Sequence, residues 1–307
     1  MLHPQCGLRY AFIFIIFHIN KNYSNSNSKV LLKKIVGLHL LFFRKINIFG
    51  LDAPLVIVFW QKLLEREFNL QMNSRFEIIL FLSVWLAYSA DRFLDNNNIF
   101  LKKRLEQRHL IFKNRAFKFC IVWLILFFTA VVLTGFYLKK IEIYYSLVLL
   151  LLVILNQALC ILENKKLNKT IIKSFRSSII LSLGCIIYPF LHLDYYDFSF
   201  VFFPIMLCII FLGNCLAVSK LKLAYLDLTN LESLTVKVEL ILFILVLLGM
   251  CLLGVTSFTI ATLLSISSIP VVFLKSNLCY DDRRVLIDQI FWIIPSTVLY
   301  FSFVCKF

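Results

Sequence analysis

Long apolar runs separated by short polar stretches dominate the chain, the clearest being 122–138, 145–162 and 240–253. A helix that crosses the hydrocarbon core of a bilayer needs roughly 20 mostly apolar residues. Backbone polar groups in lipid are satisfied only within helices or closed barrels. These runs are continuous rather than alternating, which excludes barrel strands. The pattern therefore predicts an all-α, polytopic membrane helix bundle of about nine transmembrane helices. They are expected near 51–67, 77–94, 116–138, 143–162, 171–191, 199–219, 237–254, 257–275 and 285–305, the first of them interrupted by Gln61 and Lys62.

The domain organisation follows. Residues 1–45 form an N-terminal extension, and 46–307 the transmembrane domain. In the extension, 11–19 is apolar but too short to span, and no small-residue cleavage site follows, so a secretory signal is not expected. An Asn/Ser-rich linker occupies 22–28, and 30–43 suits a short interfacial helix with Lys33, Lys34 and Arg44 at the membrane surface. A translation start placed too early is the alternative for this stretch.

Charge then orients the spans. Lys102, Lys103, Arg104, Arg108, Lys113 and Arg115 follow the second span, and Lys165, Lys166 and Lys169 follow the fourth. Lys220 and Lys222 follow the sixth; Lys275, Arg283 and Arg284 follow the eighth. The connections between carry few cations, Lys139 and Lys140 being the main exception. Every second loop is basic, so the N-terminus and these four loops are expected on the cytoplasmic side, with a bacterial inner membrane as the expected location. The net charge of +15 is explained by these loops, and no nucleic-acid partner is expected. Composition agrees: 61% of residues are hydrophobic and 16% charged, against about 45–50% and about 25% in soluble domains. The nine cysteines stand singly and read as small packing residues.

An ionisable residue within a span is costly and asks for a reason. The densest group ends the second span, Tyr88-Ser89-Ala90-Asp91-Arg92-Phe93-Leu94-Asp95. Asp91 and Asp95 are four apart and share a helix face. Their mutual repulsion would be relieved by a hard cation such as Mg²⁺, which binds through one or two carboxylates plus substrate phosphates. The plainer reading is a charged cluster that merely ends a helix, and spacing alone does not separate the two. Arg108-His109, Arg115, Lys173 and Arg176 could face a phosphate-bearing ligand; topology control and snorkelling compete for each of them. Asn214 is an amide inside the apolar sixth span, suited to a cation or to a neighbouring helix. Asp288 lies four residues after Arg284 and reads as a structural partner for it. There is no Gly-rich phosphate loop, H-E-x-x-H or G-x-S-x-G, and the five histidines are scattered.

Over roughly residues 50–307 these features resemble the UbiA-type membrane prenyltransferases, and most closely a bacterial branch with a Y-x-x-D-R-x-x-D first motif. The resemblance rests on Leu51-Asp52-Ala53-Pro54 leading to Trp60, on Tyr88-x-x-Asp91-Arg92-x-x-Asp95, and on Arg108-His109-x-x-Phe112. Asn214, then Arg284-x-Leu286-x-Asp288 with Pro295, complete it. It implies nine helices around a lipid-facing cavity, and transfer of a prenyl group from a prenyl diphosphate to a lipophilic acceptor, aromatic or otherwise. Asp91 and Asp95 are then the metal ligands and catalytic carboxylates, with Mg²⁺ as cofactor. Arg92, Arg108, Lys173 and Asn214 are substrate-binding. The second acidic motif departs from the family: after Asn214 the chain carries Val218, Leu221, Lys222 and Tyr225, and Asp227 is out of register. A non-catalytic isoprenoid- or lipid-binding protein on the same scaffold is therefore the alternative. A transporter is disfavoured by the lack of an internal repeat and by only eight glycines.

Overall fold

In the computed structural model, residues 41–71, 73–95, 116–162, 169–193, 198–225 and 280–304 are described, and every regular element among them is an α-helix. The chain divides into two compact units, Met1–Arg44 and Lys45–Phe307; of the first only 41–44 are described, and these are helical. In the second, the helices are α1 (Asp52–Glu67), α2 (Ser74–Asp95), α3 (Ala116–Tyr137), α4 (Lys140–Leu162), α5 (Lys169–His192), α6 (Phe198–Tyr225) and α7 (Tyr280–Val304). They fall where seven of the nine expected helices lie. The other two, 237–254 and 257–275, and the basic loop with Arg108 lie outside the described residues, as do residues 1–40.

Local chemistry sets the helix ends. The helical segment before α1 stops at Gly50, whose φ of 71° suits glycine. Its amide donates to Asn47 O and that of Leu51 to Ile46 O, closing the last turn. A Cβ on Gly50 would meet Tyr88 Cδ1 at 3.4 Å and Arg92 Nη1 at 3.5 Å, so the small residue also lets α2 approach. α1 ends in the same way: Asn69 takes φ 53°, and the amides of Asn69 and Leu70 donate to Arg66 O and Glu65 O. Asn73 then caps α2, its Oδ1 accepting from the amides of Arg75 and Phe76.

α1 is central. It packs on α2, α5 and α7, while α5 also packs on α4 and α6, and α2 on α3. The core is built from Ile57, Trp60 and Leu64 of α1, Leu207 and Phe211 of α6, and Ile287 and Phe291 of α7. Trp60 is held by a hydrogen bond from its indole N–H to Phe291 O at 3.1 Å and by an edge-on contact with Phe211. Outside this core α3 and α4 turn large apolar side chains outward, among them Phe128, Phe136, Leu151 and Ile154. Such a surface far exceeds what water tolerates on a monomer. α3, α4 and the stretch Ile172–His192 of α5 are long and apolar enough to cross a membrane, with 22, 23 and 21 residues. At 1.5 Å per residue these reach roughly 30 Å, the thickness of the hydrocarbon core. α1, α2 and α7 carry the buried Asp52, Arg92, Arg284 and Asp288, and these build the site.

Candidate functional site

Successive described helices alternate in direction, so one end of the bundle collects the start of α1, the end of α2, the end of α4, the starts of α5 and α7 and the end of α6. Two polar groupings form there. The first is deeply buried. Asp52 in the first turn of α1 receives Asn47 Nδ2 at 3.1 Å and Tyr88 Oη at 3.3 Å, and pairs with Arg92 Nη2 at 3.4 Å. Arg92, 3% exposed, also donates to Tyr88 Oη at 2.8 Å and to Asn47 O, and lies over the Tyr88 ring. Asn47 Nδ2 reaches on to Asp288 Oδ2 at 2.8 Å, and Arg284 Nε lies 3.7 Å from the same oxygen. The network ties α1, α2 and α7 together before any ligand is considered.

The second grouping is more open. Lys173 Nζ on α5 stands 3.1 Å from both oxygens of Asp91 on α2, and the two side chains are 27% and 24% exposed. One turn further along α5, Arg176 Nε donates to Asn156 Oδ1 of α4 at 3.0 Å, with Nη2 3.7 Å from Cys160 Sγ. Asp91 and Lys173 both act electrostatically on Cys160. Ser174 Oγ of α5 stands 3.5 Å from Ser219 Oγ of α6, so α2, α4, α5 and α6 meet in this region. Asn214 precedes Cys215, and its buried Oδ1 has no hydrogen-bond partner among the described residues.

The structure thus brings Asp91 and Lys173 into contact, although they are 82 residues apart. Asn214 lies on α6, five residues before Ser219, whose Oγ stands 3.5 Å from that of Ser174, the neighbour of Lys173. Arg92 faces the buried network rather than the Asp91–Lys173 pair. Asp95 is the last residue of α2, with its side chain outside the description, and Arg108 lies outside the described residues altogether. The expected pairing of Arg284 with Asp288 is present, with Asn47 as the closer partner. Sequence reasoning missed Asn47, Asp52 and Asn156 as members of the site. Only Asp52 left a signal, as a carboxylate at the head of an apolar helix.

Chemically the region pairs hard oxygen donors with cations. Asp91, Asp95 and Asn214 carry side-chain oxygens of the type that a hard divalent ion takes, and the buried Asn214 Oδ1 is unpartnered among the described residues. Among the described residues no three His, Cys, Asp or Glu side chains group closely enough to hold a metal by themselves. Comparison with protein-family models, with curated proteins and with solved structures finds no match.

Proposed function

We propose that the chain is an integral membrane protein of nine spans, similar to the UbiA-type prenyltransferases. It binds a prenyl diphosphate at the polar end of its bundle and passes the prenyl group to a lipophilic acceptor. The N-terminus and this end face the cytoplasm of a bacterial cell, as the basic alternate loops require. The observation that carries the reading is the Asp91–Lys173 pair, a partly exposed ion pair joining α2 to α5 where apolar helices open onto a polar face. A prenyl diphosphate has matching halves, an anionic head for Lys173 and Arg176 and an apolar tail for the helix surfaces.

In the reaction the allylic C–O bond of the donor breaks and the diphosphate leaves with the electron pair. The acceptor attacks the allylic carbon and loses a proton. Lys173 and Arg176 offset charge growing on the leaving diphosphate. Mg²⁺, held by Asp91 and Asp95, would supply further charge neutralisation there. Asp91 is paired with Lys173 in this structure, and an Asp91 that held the ion would leave Lys173 to face the diphosphate.

The test is turnover of a long-chain prenyl diphosphate by protein purified in detergent, with and without Mg²⁺. Turnover that requires Mg²⁺ and is abolished by Asp91→Ala supports the reading; full activity of that variant sinks the assignment. Two observations favour the second reading, a non-catalytic isoprenoid-binding protein. Lys173 occupies both Asp91 oxygens, and no carboxylate follows Asn214 on α6. Tight binding of a prenyl diphosphate analogue without turnover on any of a broad panel of acceptors would decide for it.

A further inference from the structure

The other end of the bundle holds a second polar group, separate from the site just described. Glu65 lies thirteen positions after Asp52, so these two points on α1 stand about 20 Å apart at the helical rise. Gln61 and Glu65, one turn apart on α1, are both 0% exposed. Gln61 Nε2 donates to Glu65 Oε1 at 2.6 Å. What remains is unbalanced: Gln61 Oε1, Glu65 Oε2 and Glu77 Oε1 are buried and have no hydrogen-bond partner among the described residues. All three are acceptors, and acceptors cannot satisfy one another.

Among the described residues the charged and titratable neighbours are these. From α1 itself comes Lys62, whose Nζ is 2.8 Å from Glu77 Oε2 and is therefore already engaged. α2 supplies Glu77, a like charge that makes an ionised Glu65 worse. α5 supplies Tyr188, which feels Glu65, Glu77 and Glu142, while its hydroxyl donates to Gln71 O at 3.1 Å. Glu142 of α4 is paired with His192 Nε2 at 3.1 Å and accepts the Lys139 amide. Beyond Asp288, α7 carries Tyr300 as its remaining titratable side chain among the described residues whose surroundings are known, and it is exposed. None of these gives Glu65 Oε2 a donor.

We propose that Gln61 and Glu65 form a proton-binding site in which Glu65 is a neutral carboxylic acid. One proton on Oε2 turns that oxygen into a donor, and Gln61 Oε1 is the unfilled acceptor beside it. The proton comes from hydronium, leaving water, and no other co-reactant is needed. Acid and amide then close a ring of two hydrogen bonds, and two of the three orphaned oxygens are satisfied at once. A bare carboxylate here would instead hold a full charge in the core on one hydrogen bond, beside a second carboxylate. The fold holds this proton at a pH where the unfolded chain, whose glutamate ionises at about pH 4.3, has already released it. Stability therefore falls as pH rises, because the folded state binds more protons than the unfolded one.

The test uses the full chain in lipid nanodiscs and reads the infrared C=O stretch of a protonated carboxyl group. At neutral pH the wild type is expected to show this band, Glu65→Gln to lack it, and Gln61→Leu to shift it toward a carboxylic acid without a partner. Glu65→Gln can form the same two-bond ring as an amide pair, so its thermal midpoint should stay level from about pH 5 to about pH 9 while that of the wild type falls. If Glu65→Gln does not fold, the band shift in Gln61→Leu decides alone. A wild type whose protonated-carboxyl signal responds to neither substitution overturns the proposal. So does a wild-type midpoint that rises with Na⁺, K⁺ or Mg²⁺ at fixed pH only when Glu65 is present, since a metal cation would then fill the site.

Discussion

Replacing Arg92 with methionine isolates the buried network that holds α1, α2 and α7 together. The guanidinium is 3% exposed and serves Asn47 O, Tyr88 Oη and Asp52 Oδ1. Its removal leaves the Asp52 carboxylate, 5% exposed at the side chain, without its cation. Breaking one side of a buried pair costs about 3–5 kcal/mol. The contact to Asp52 is long at 3.4 Å, and Asp52 keeps its bonds from Asn47 and Tyr88, which puts the expected loss near the lower figure, about 3 kcal/mol. Adding Asp52→Asn removes the stranded charge and should restore about 1.5 kcal/mol or more as coupling energy. Unfolding in mixed micelles, titrated with a denaturing detergent, measures all four members of the cycle. A loss under about 1 kcal/mol for Arg92→Met, or additivity within about 0.5 kcal/mol, would refute the network as a structural element.

Other perturbations test different links. Trp60→Ala removes a fully buried indole and its bond to Phe291 O, and should cost about 3–5 kcal/mol in the same unfolding assay. Leu151→Lys, on the outward face of α4, should disfavour membrane insertion by about 3–4 kcal/mol in a translocation assay; an unchanged inserted fraction would mean that this face does not meet lipid. Gly50→Ala forces a side chain into a left-handed conformation against Tyr88 and Arg92, with an expected loss of about 1–2 kcal/mol in unfolding free energy.

Helix positions were legible in the chain because apolar run length is a local property. Residues 116–138 were expected as a span, and α3 occupies Ala116–Tyr137. What polar residues do inside the bundle was not legible, because their partners are remote. Gln61 and Lys62 read as an interruption of the first span. In the fold Gln61 turns inward to Glu65, and Lys62 reaches Glu77 on the next helix. Asp288 announced Arg284 through its spacing, but its closer partner is Asn47, 241 residues away. Arg92 and Asp91 are adjacent in one motif and face different partners, since neighbouring residues on a helix point about 100° apart. Asp91 and Lys173 were each singled out, and only tertiary packing shows that they meet.

The most direct measurement is the affinity of the protein, in lipid nanodiscs, for a non-cleavable prenyl diphosphate analogue. Saturable binding is expected, weakened about tenfold or more by Lys173→Met, a loss of about 1.4 kcal/mol. The corresponding prenyl alcohol, which lacks the anionic head, should compete poorly. Equal affinity in Lys173→Met, or equal competition by the alcohol, would contradict an anion-binding site at the Asp91–Lys173 end of the bundle.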